Sequence, residues 1–158
     1  MNPAPSLDRF DREILRQLQL DGRLSNQELA ERIGLSPSPC LRRVRALEDS
    51  GLITGYQALV NAKALGLSLM ALIHISMDQH TPERFGNFES LIGDIPEVLE
   101  CLLITGQSAD YQLKVVVRDM DAYQDLLLNK ITRIQGVTGV HTSFVLRQRL
   151  NRVPVAVA

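Results

Sequence analysis

Apolar positions divide the chain into segments of different period. Leu7 leads into Phe10, Ile14 and Leu18, spaced as on one face of a helix, and Asp21-Gly22 closes that segment. Leu24-Ser25-Asn26-Gln27-Glu28-Leu29 then carries two start signals at once. Ser25 and Glu28 make a capping box, and Leu24 against Leu29 makes a hydrophobic staple. Gly34 falls where this second helix must stop. Ser36 is placed to cap a third helix, with Pro37 at its first position, where a missing N–H costs nothing. Gly51 ends it. The turn Gly34-Leu35-Ser36 is only about three residues, and two helices joined by a tight Gly-containing turn make a helix-turn-helix. Residues 52–60 (LITGYQALV) read as a short hairpin or strand around Thr54-Gly55, and Asn61 to Gly66 as a connector.

Beyond the connector, strand and helix patterns alternate. Met70–Met77 reads as a strand. Thr81-Pro82 opens a helix with Phe85, Phe88, Leu91, Ile92 and Ile95 on one side. Val98–Thr105 and Tyr111–Val117 read as strands joined by a short turn. Asp119 caps a helix carrying Tyr123, Leu127, Ile131 and Ile134, and Val140–Arg147 is the last strand. This βαββαβ order is the ferredoxin-like pattern. Ile95-Pro96-Glu97-Val98 and Ile134-Gln135-Gly136-Val137 occupy equivalent helix-to-strand joints, as its pseudo-symmetry requires. The expected class is α+β: a winged helix-turn-helix over 1–52, a hairpin and connector over 53–66, and a ferredoxin-like domain over 67–158.

Both faces of the predicted sheet carry apolar residues. Leu113, Val115 and Val117 share one face and Val116 lies on the other. Leu102 and Ile104 oppose Leu99 and Leu103, and Ala71, Ile73 and Ile75 oppose Leu72. An uncovered apolar sheet face usually marks an interface, so sheet-to-sheet dimerisation is expected. Cover by the connector or the C-terminal tail is the alternative.

Composition narrows the class. The chain of 158 residues is 45% hydrophobic and 22% charged, with 4% aromatic residues and no Trp, a globular composition with an aliphatic core. No apolar run is long enough for a bilayer, and no secretory signal is visible at the N-terminus. Cys40 and Cys101 lack metal-like spacing. A cytoplasmic protein with reduced thiols is expected. The formal net charge of −1 argues against indiscriminate nucleic-acid binding but leaves room for a local basic face.

The third helix carries such a face. At about 100° per residue, Cys40, Val44 and Leu47 form the core side, with Leu41 beside them. Arg42 lies opposite, near Ser38 and Arg45, and Arg43 is on the flank. Ser36, Ser38 and Pro39 form a first turn small enough to enter a major groove. Ser38 and Arg42 are candidates for base edges, and Arg43 and Arg45 for phosphates. The plainer alternative pairs Arg43 and Arg45 with Glu48 or Asp49. The capped turn upstream weighs for double-stranded DNA.

A second polar cluster lies in the turn between the two middle strands of the second domain. Thr105, Gly106, Gln107, Ser108, Asp110 and Tyr111 place an amide, hydroxyls and a carboxylate beside exposed backbone N–H groups. That chemistry suits an α-amino acid, with donors for its carboxylate and Asp110 for its ammonium. On the residues alone, a solvated hairpin loop is the plainer reading.

The run LDRFDREILRQLQLDGRLSNQELAERIGLSPSPCLRRVRALEDSGLITGY resembles the DNA-binding region of Lrp/AsnC (feast/famine) regulators, with SPSPCLRRVRALEDSGLI the most specific stretch. The βαββαβ segment, through GVTGVHTSFVLRQ, resembles that family's effector domain. The resemblance implies homodimers often joined into octamers. It also implies an amino acid or related metabolite bound between dimers, near the turn joining the second and third sheet strands. There the chain departs from the family by one extra residue between Gly106 and Asp110-Tyr111.

No cofactor is expected and no enzyme motif is present. His74, His80 and His141 show neither metal-ligand nor catalytic spacing. Two rivals remain: an enzyme resembling sirohaem decarboxylases, which share the fold, and a stand-alone amino-acid sensor. A bound tetrapyrrole would mark the first, and absence of salt-dependent DNA binding the second.

Overall fold

The computed structural model describes residues 6–106, 109–151 and 154–157. The chain divides into two compact units: residues up to Leu59 with the tail from Leu150, and Val60–Arg149. The tail, expected within the second domain, thus groups with the first. Its backbone takes hydrogen bonds from the first helix: Arg16 Nη2 to Val157 O at 3.0 Å and Gln19 Nε2 to Val155 O at 3.1 Å. Val155 N–H donates back to Gln19 Oε1 at 2.6 Å.

In the first unit, α1 (Arg9–Leu20), α2 (Asn26–Ile33) and α3 (Pro37–Asp49) follow one another. A capping box not foreseen in the sequence opens α1. The Asp8 carboxylate accepts the N–H groups of Phe10 and Asp11, and Asp11 returns a bond to the Asp8 N–H. Ser25 and Glu28 cap α2 as expected. Gly34 takes a left-handed φ of 70°, which lets the Leu35 N–H reach Ala30 O at 2.9 Å. Ser36 stands at the cap position of α3, but its side chain makes no capping bond. The start of α3 is pinned from outside, by Asn26 Nδ2 donating to Pro37 O at 2.8 Å.

Ile14, Leu29, Ala30, Cys40 and Leu47 form the core of this unit, with Leu24 and Val44 packed on it. Each fully buried Leu or Ile contributes roughly 1.5–3 kcal/mol, against about 1 kcal/mol for a cap. Packing therefore holds the three helices together, while the caps set where they start. Leu41 falls past the edge of the buried stripe and is exposed.

Residues 52–60 form no strand. Tyr56, Leu59 and Val60 are exposed, and among the described residues no strand pairs with this stretch. An isolated ribbon without a partner face is marginal. The segment is anchored over its first half instead. The N–H groups of Leu52 and Ile53 both reach Leu47 O at 3.1 Å, and Tyr56 Oη donates to Glu48 at 2.9 Å. Burial and that carboxylate push the Tyr56 hydroxyl up to about 12.

The second unit holds β1 (Leu69–Met77), α4 (Pro82–Gly93), β2 (Val98–Leu103), β3 (Tyr111–Val117), α5 (Met120–Asp125) and β4 (Val137–Phe144). The sheet order is β2-β3-β1-β4, antiparallel throughout, the ferredoxin-like arrangement. Thr81 and Asp119 cap their helices. The two joints are equivalent down to their hydrogen bonds. Ile95 N–H reaches Ile92 O and Val98 N–H reaches Ile95 O. Ile134 N–H reaches Ile131 O and Val137 N–H reaches Ile134 O, all at 3.0–3.2 Å.

Three local differences have physical causes. The last strand begins at Val137, earlier than expected, because a register shift at Ser76/Met77 lets Val137 pair with Met77. Leu91 lies outside the buried face of α4 and is exposed. The segment after α5 is irregular, with a π turn over Leu126–Lys130 and a 3-10 turn over Ile131–Arg133. Tyr123 of α5 and then Leu126, Ile131 and Ile134 are buried, Leu126 taking the place expected of Leu127. The five-residue step from Leu126 to Ile131 is the one a π turn spans.

Ala71, Ile73, Ile75, Leu113, Val115 and Val117 face the helices and are buried. The opposite face is mixed. Met70, Leu72, Leu102 and Val116 alternate there with His74, Ser76, Gln112, Lys114, His141 and Ser143. Val116 is only 6% exposed within its own chain, whereas Leu102 is 45% exposed. Part of the apolar face is therefore already covered without a second copy.

Candidate functional site

On α3, Ser38, Leu41, Arg42, Arg45, Ala46 and Asp49 line one shallow exposed groove. The sequence-predicted base-reading pair, Ser38 and Arg42, thus shares a face with Arg45. Among the described residues, no hydrogen bond or ion pair engages Arg42 or Arg45. Glu48, a candidate partner for Arg43 and Arg45, instead accepts from Tyr56. Ser36 is exposed at the helix start and Pro39 is half-buried.

Arg43 is placed differently from the expected phosphate contact. Its Nη1 lies 2.8 Å from Asp8 Oδ2 and 2.7 Å from Asp11 Oδ1, and its guanidinium sits 5.4 Å from the centroid of the Phe10 ring. The capping carboxylates of α1 thereby hold α3 across the unit. They also push the Arg43 guanidinium up, chiefly through the hydrogen bond it donates to Asp11. This arginine orients the helix that carries Arg42 and Arg45.

In the second unit, Thr105 and Gly106 are exposed at the β2–β3 turn. Gln107 and Ser108 lie outside the described residues. Asp110 is occupied by the fold. Its Oδ2 accepts the Met77 N–H at 2.7 Å and its Oδ1 lies 2.8 Å from His80 Nε2. Its own N–H reaches Ile75 O, and its carbonyl accepts from Ile104, both at 2.8 Å. The expected ammonium partner therefore fastens the end of β1. Tyr111 is fully buried between Phe85 and Phe88, and its hydroxyl donates to Glu89 Oε1 at 2.7 Å. Burial and then Glu89 push that hydroxyl well above the usual phenol range.

Glu89 and Tyr111 line a groove of about 380 Å³ together with Ile92, Val98, Leu99 and Leu103, among others. The groove lies beside Leu103 and Tyr111, the last pair of the β2–β3 hairpin, next to the exposed Thr105 and Gly106. It combines apolar walls with the Glu89 and Glu100 carboxylates, a mixture suited to a small molecule with one cationic group. Sequence reasoning missed Glu89. Its only linear signal is that it follows Phe88 on the helix predicted to cover the sheet.

The comparisons with known proteins also find two parts, with residues 150–155 of the tail falling in the match to the second. The Lrp/AsnC ligand binding domain matches residues 70–155, and a winged helix-turn-helix DNA-binding model matches residues 7–54. The leucine-responsive regulatory protein of Klebsiella pneumoniae is 45% identical over 146 residues, 92% of this chain and 88% of the relative. That of Escherichia coli K12 is 44% identical with the same coverage. A transcriptional regulator from Neisseria meningitidis, solved in complex with L-Met, superposes with a TM-score of 0.90 and 38% identity, covering 96% of this chain and 97% of that one. An AsnC family regulator from Agrobacterium tumefaciens gives 0.89 and 32%, covering 95% and 97%. With both units matched, and relatives sharing this identity across nearly their whole length, the chain belongs to the Lrp/AsnC family of transcriptional regulators.

Proposed function

We propose that this regulator reads double-stranded DNA with the Ser38–Arg42–Arg45 face of α3 and responds to an amino acid held at the β2–β3 end of the second unit. The observation that carries the DNA half is the pair of uncommitted arginines beside Ser38, on a helix braced by Arg43. Arg42→Ala is expected to cost on the order of 1–3 kcal/mol at one base position per half-site. Arg45→Ala weakens all sequences alike and flattens the salt dependence. Binding isotherms on specific and random duplexes at several salt concentrations separate the two. Equal losses for Arg42→Ala on both duplexes would remove it from base reading.

For the effector, the L-Met complex of the Neisseria relative supports an amino acid. In this chain the free carboxylate capacity is at Glu89, since both Asp110 oxygens are engaged. The ligand's ammonium is assigned to Glu89, its side chain to the walls of Ile92, Leu99 and Leu103, and its carboxylate to backbone N–H groups near Gly106. Thermal melts against a panel of amino acids test this by mass action. Glu89→Gln should remove the shift that an amino acid gives the wild type. Asp110→Ala should lower the melting temperature with or without ligand. An undiminished shift in Glu89→Gln would take the ligand out of this groove.

The curated relatives are named as leucine-responsive regulatory proteins and the Neisseria structure as a transcriptional regulator, which favours this reading over the sirohaem-decarboxylase-like and stand-alone sensor readings. No described helix is long and apolar enough to cross a membrane. A cytoplasmic location and assembly into dimers and octamers complete the proposal. Exposed Leu102, on the helix-free face, provides apolar contact surface for a second copy. Sedimentation of the full chain at micromolar concentration should show a dimer or larger species.

A further inference from the structure

His74 and His141 are far apart in sequence but directly opposite across the β1–β4 pair. Both project onto the mixed, helix-free face of the sheet, with ring centroids 6.4 Å apart. We propose that this cross-strand pair is a bidentate site for a divalent transition-metal ion of the zinc or copper class. Imidazole nitrogens are the ligands such ions favour, and the rigid ladder holds both rings at one register position.

Two imidazoles ligating one ion through nitrogens at about 2.1 Å bring their centroids to roughly 5–6 Å. A small rotation of the exposed His141 ring closes the difference. Gln112, opposite His74 on β3, supplies the supporting contact. Its Oε1 lies 3.1 Å from His74 Nε2. With that carbonyl oxygen holding the Nε2 proton, Nδ1 is the free lone pair. Metal-ligating histidines commonly donate their other N–H to such an acceptor. The other charged group on this part of the face, Lys114, pairs with Glu100 at 3.3 Å. Leu72, Ser76, Gly139 and Ser143 are the uncharged neighbours along the two strands. One chain contributes two ligands. Water, or the same pair from a second copy stacked on this face, fills the remaining positions.

The test is titration of the full-length, tag-free protein with Zn²⁺ and with Cu²⁺, followed by calorimetry and by the imidazole resonances. Saturable binding is expected, with His74 and His141 resonances shifting and those of His80, held at Asp110, unmoved. His74→Gln and His141→Gln should each weaken binding at least tenfold while melting like the wild type. Gln112→Leu should weaken it roughly tenfold. Either one ion per chain or one per two chains supports the site, marking water or a second copy as the remaining ligands. Cys101 is the exposed thiol that could bind instead, so Cys101→Ser is the control. Absent binding, or binding lost in Cys101→Ser and kept in both histidine variants, overturns the proposal.

Discussion

Tyr111→Ala is expected to destabilise the protein by about 3–5 kcal/mol, the range for removing a large buried aromatic. The ring is fully buried between Phe85 and Phe88, with centroids at 5.5 and 4.6 Å, and sits where β3 leaves the hairpin turn. Tyr111→Phe keeps the ring and removes only the bond to Glu89, so it should cost about 1 kcal/mol. The pair separates packing from ligand contact. If the hydroxyl merely orients Glu89, Tyr111→Phe weakens amino-acid binding only mildly and hardly changes the denaturation midpoint. Chemical denaturation, with and without an amino acid that shifts the wild-type melt, gives both quantities. A fully stable Tyr111→Ala variant would show that the residue is not part of the core.

The second large effect is expected at Gly136. Its φ is +101°, and a Cβ there would stand 2.5 Å from Arg84 Cδ and 2.9 Å from Asp78 Oδ1. Neither neighbour moves freely. Arg84 is paired with Asp78 at 3.0 Å, and the Asp78 N–H donates to the Gly136 carbonyl at 2.8 Å. Gly136→Ala therefore meets a backbone penalty of about 1–2 kcal/mol and a clash besides. A total loss of roughly 2–4 kcal/mol is expected. Gly106→Ala, with nothing within 4 Å of its added Cβ, is the matched control and should shift the midpoint little. Equal midpoints for the two variants would mean the joint before β4 can relax, and the close approach would lose its significance.

The features legible in the sequence are those whose causes are local. Ser25 with Glu28, Gly34 and Asp119 act within one helical turn, so each marks its helix end wherever the rest of the chain goes. The two joints before β2 and β4 were legible because each is a four-residue device repeated. The Asp8–Asp11 box obeys the same rule as Ser25–Glu28 with other residues, and the sequence contained that signal. What stayed hidden depends on register between distant segments. Arg43 faces α1 only once the three helices pack, and only then do Asp8 and Asp11 outcompete phosphate or Glu48 for it. Asp110 reads as a free carboxylate in a polar turn until strand pairing brings the Met77 N–H to it. Glu89 acquires meaning from Tyr111, across the layer between helix and sheet. The stretch 52–60 has the composition of a strand but no partner to pair with, and composition cannot supply one.

The return of the C-terminal tail to α1 alters the mechanical relation between the two halves. In the order of the chain, the sensing unit is an insertion: the polypeptide leaves the DNA-reading unit after Leu59 and comes back at Leu150. Two covalent passages join the units where a bead-on-a-string arrangement would have one. The second passage ends on Arg16 and Gln19, on the helix whose capping carboxylates hold Arg43 of α3, so deleting the last residues should leave the second unit folded and loosen the first.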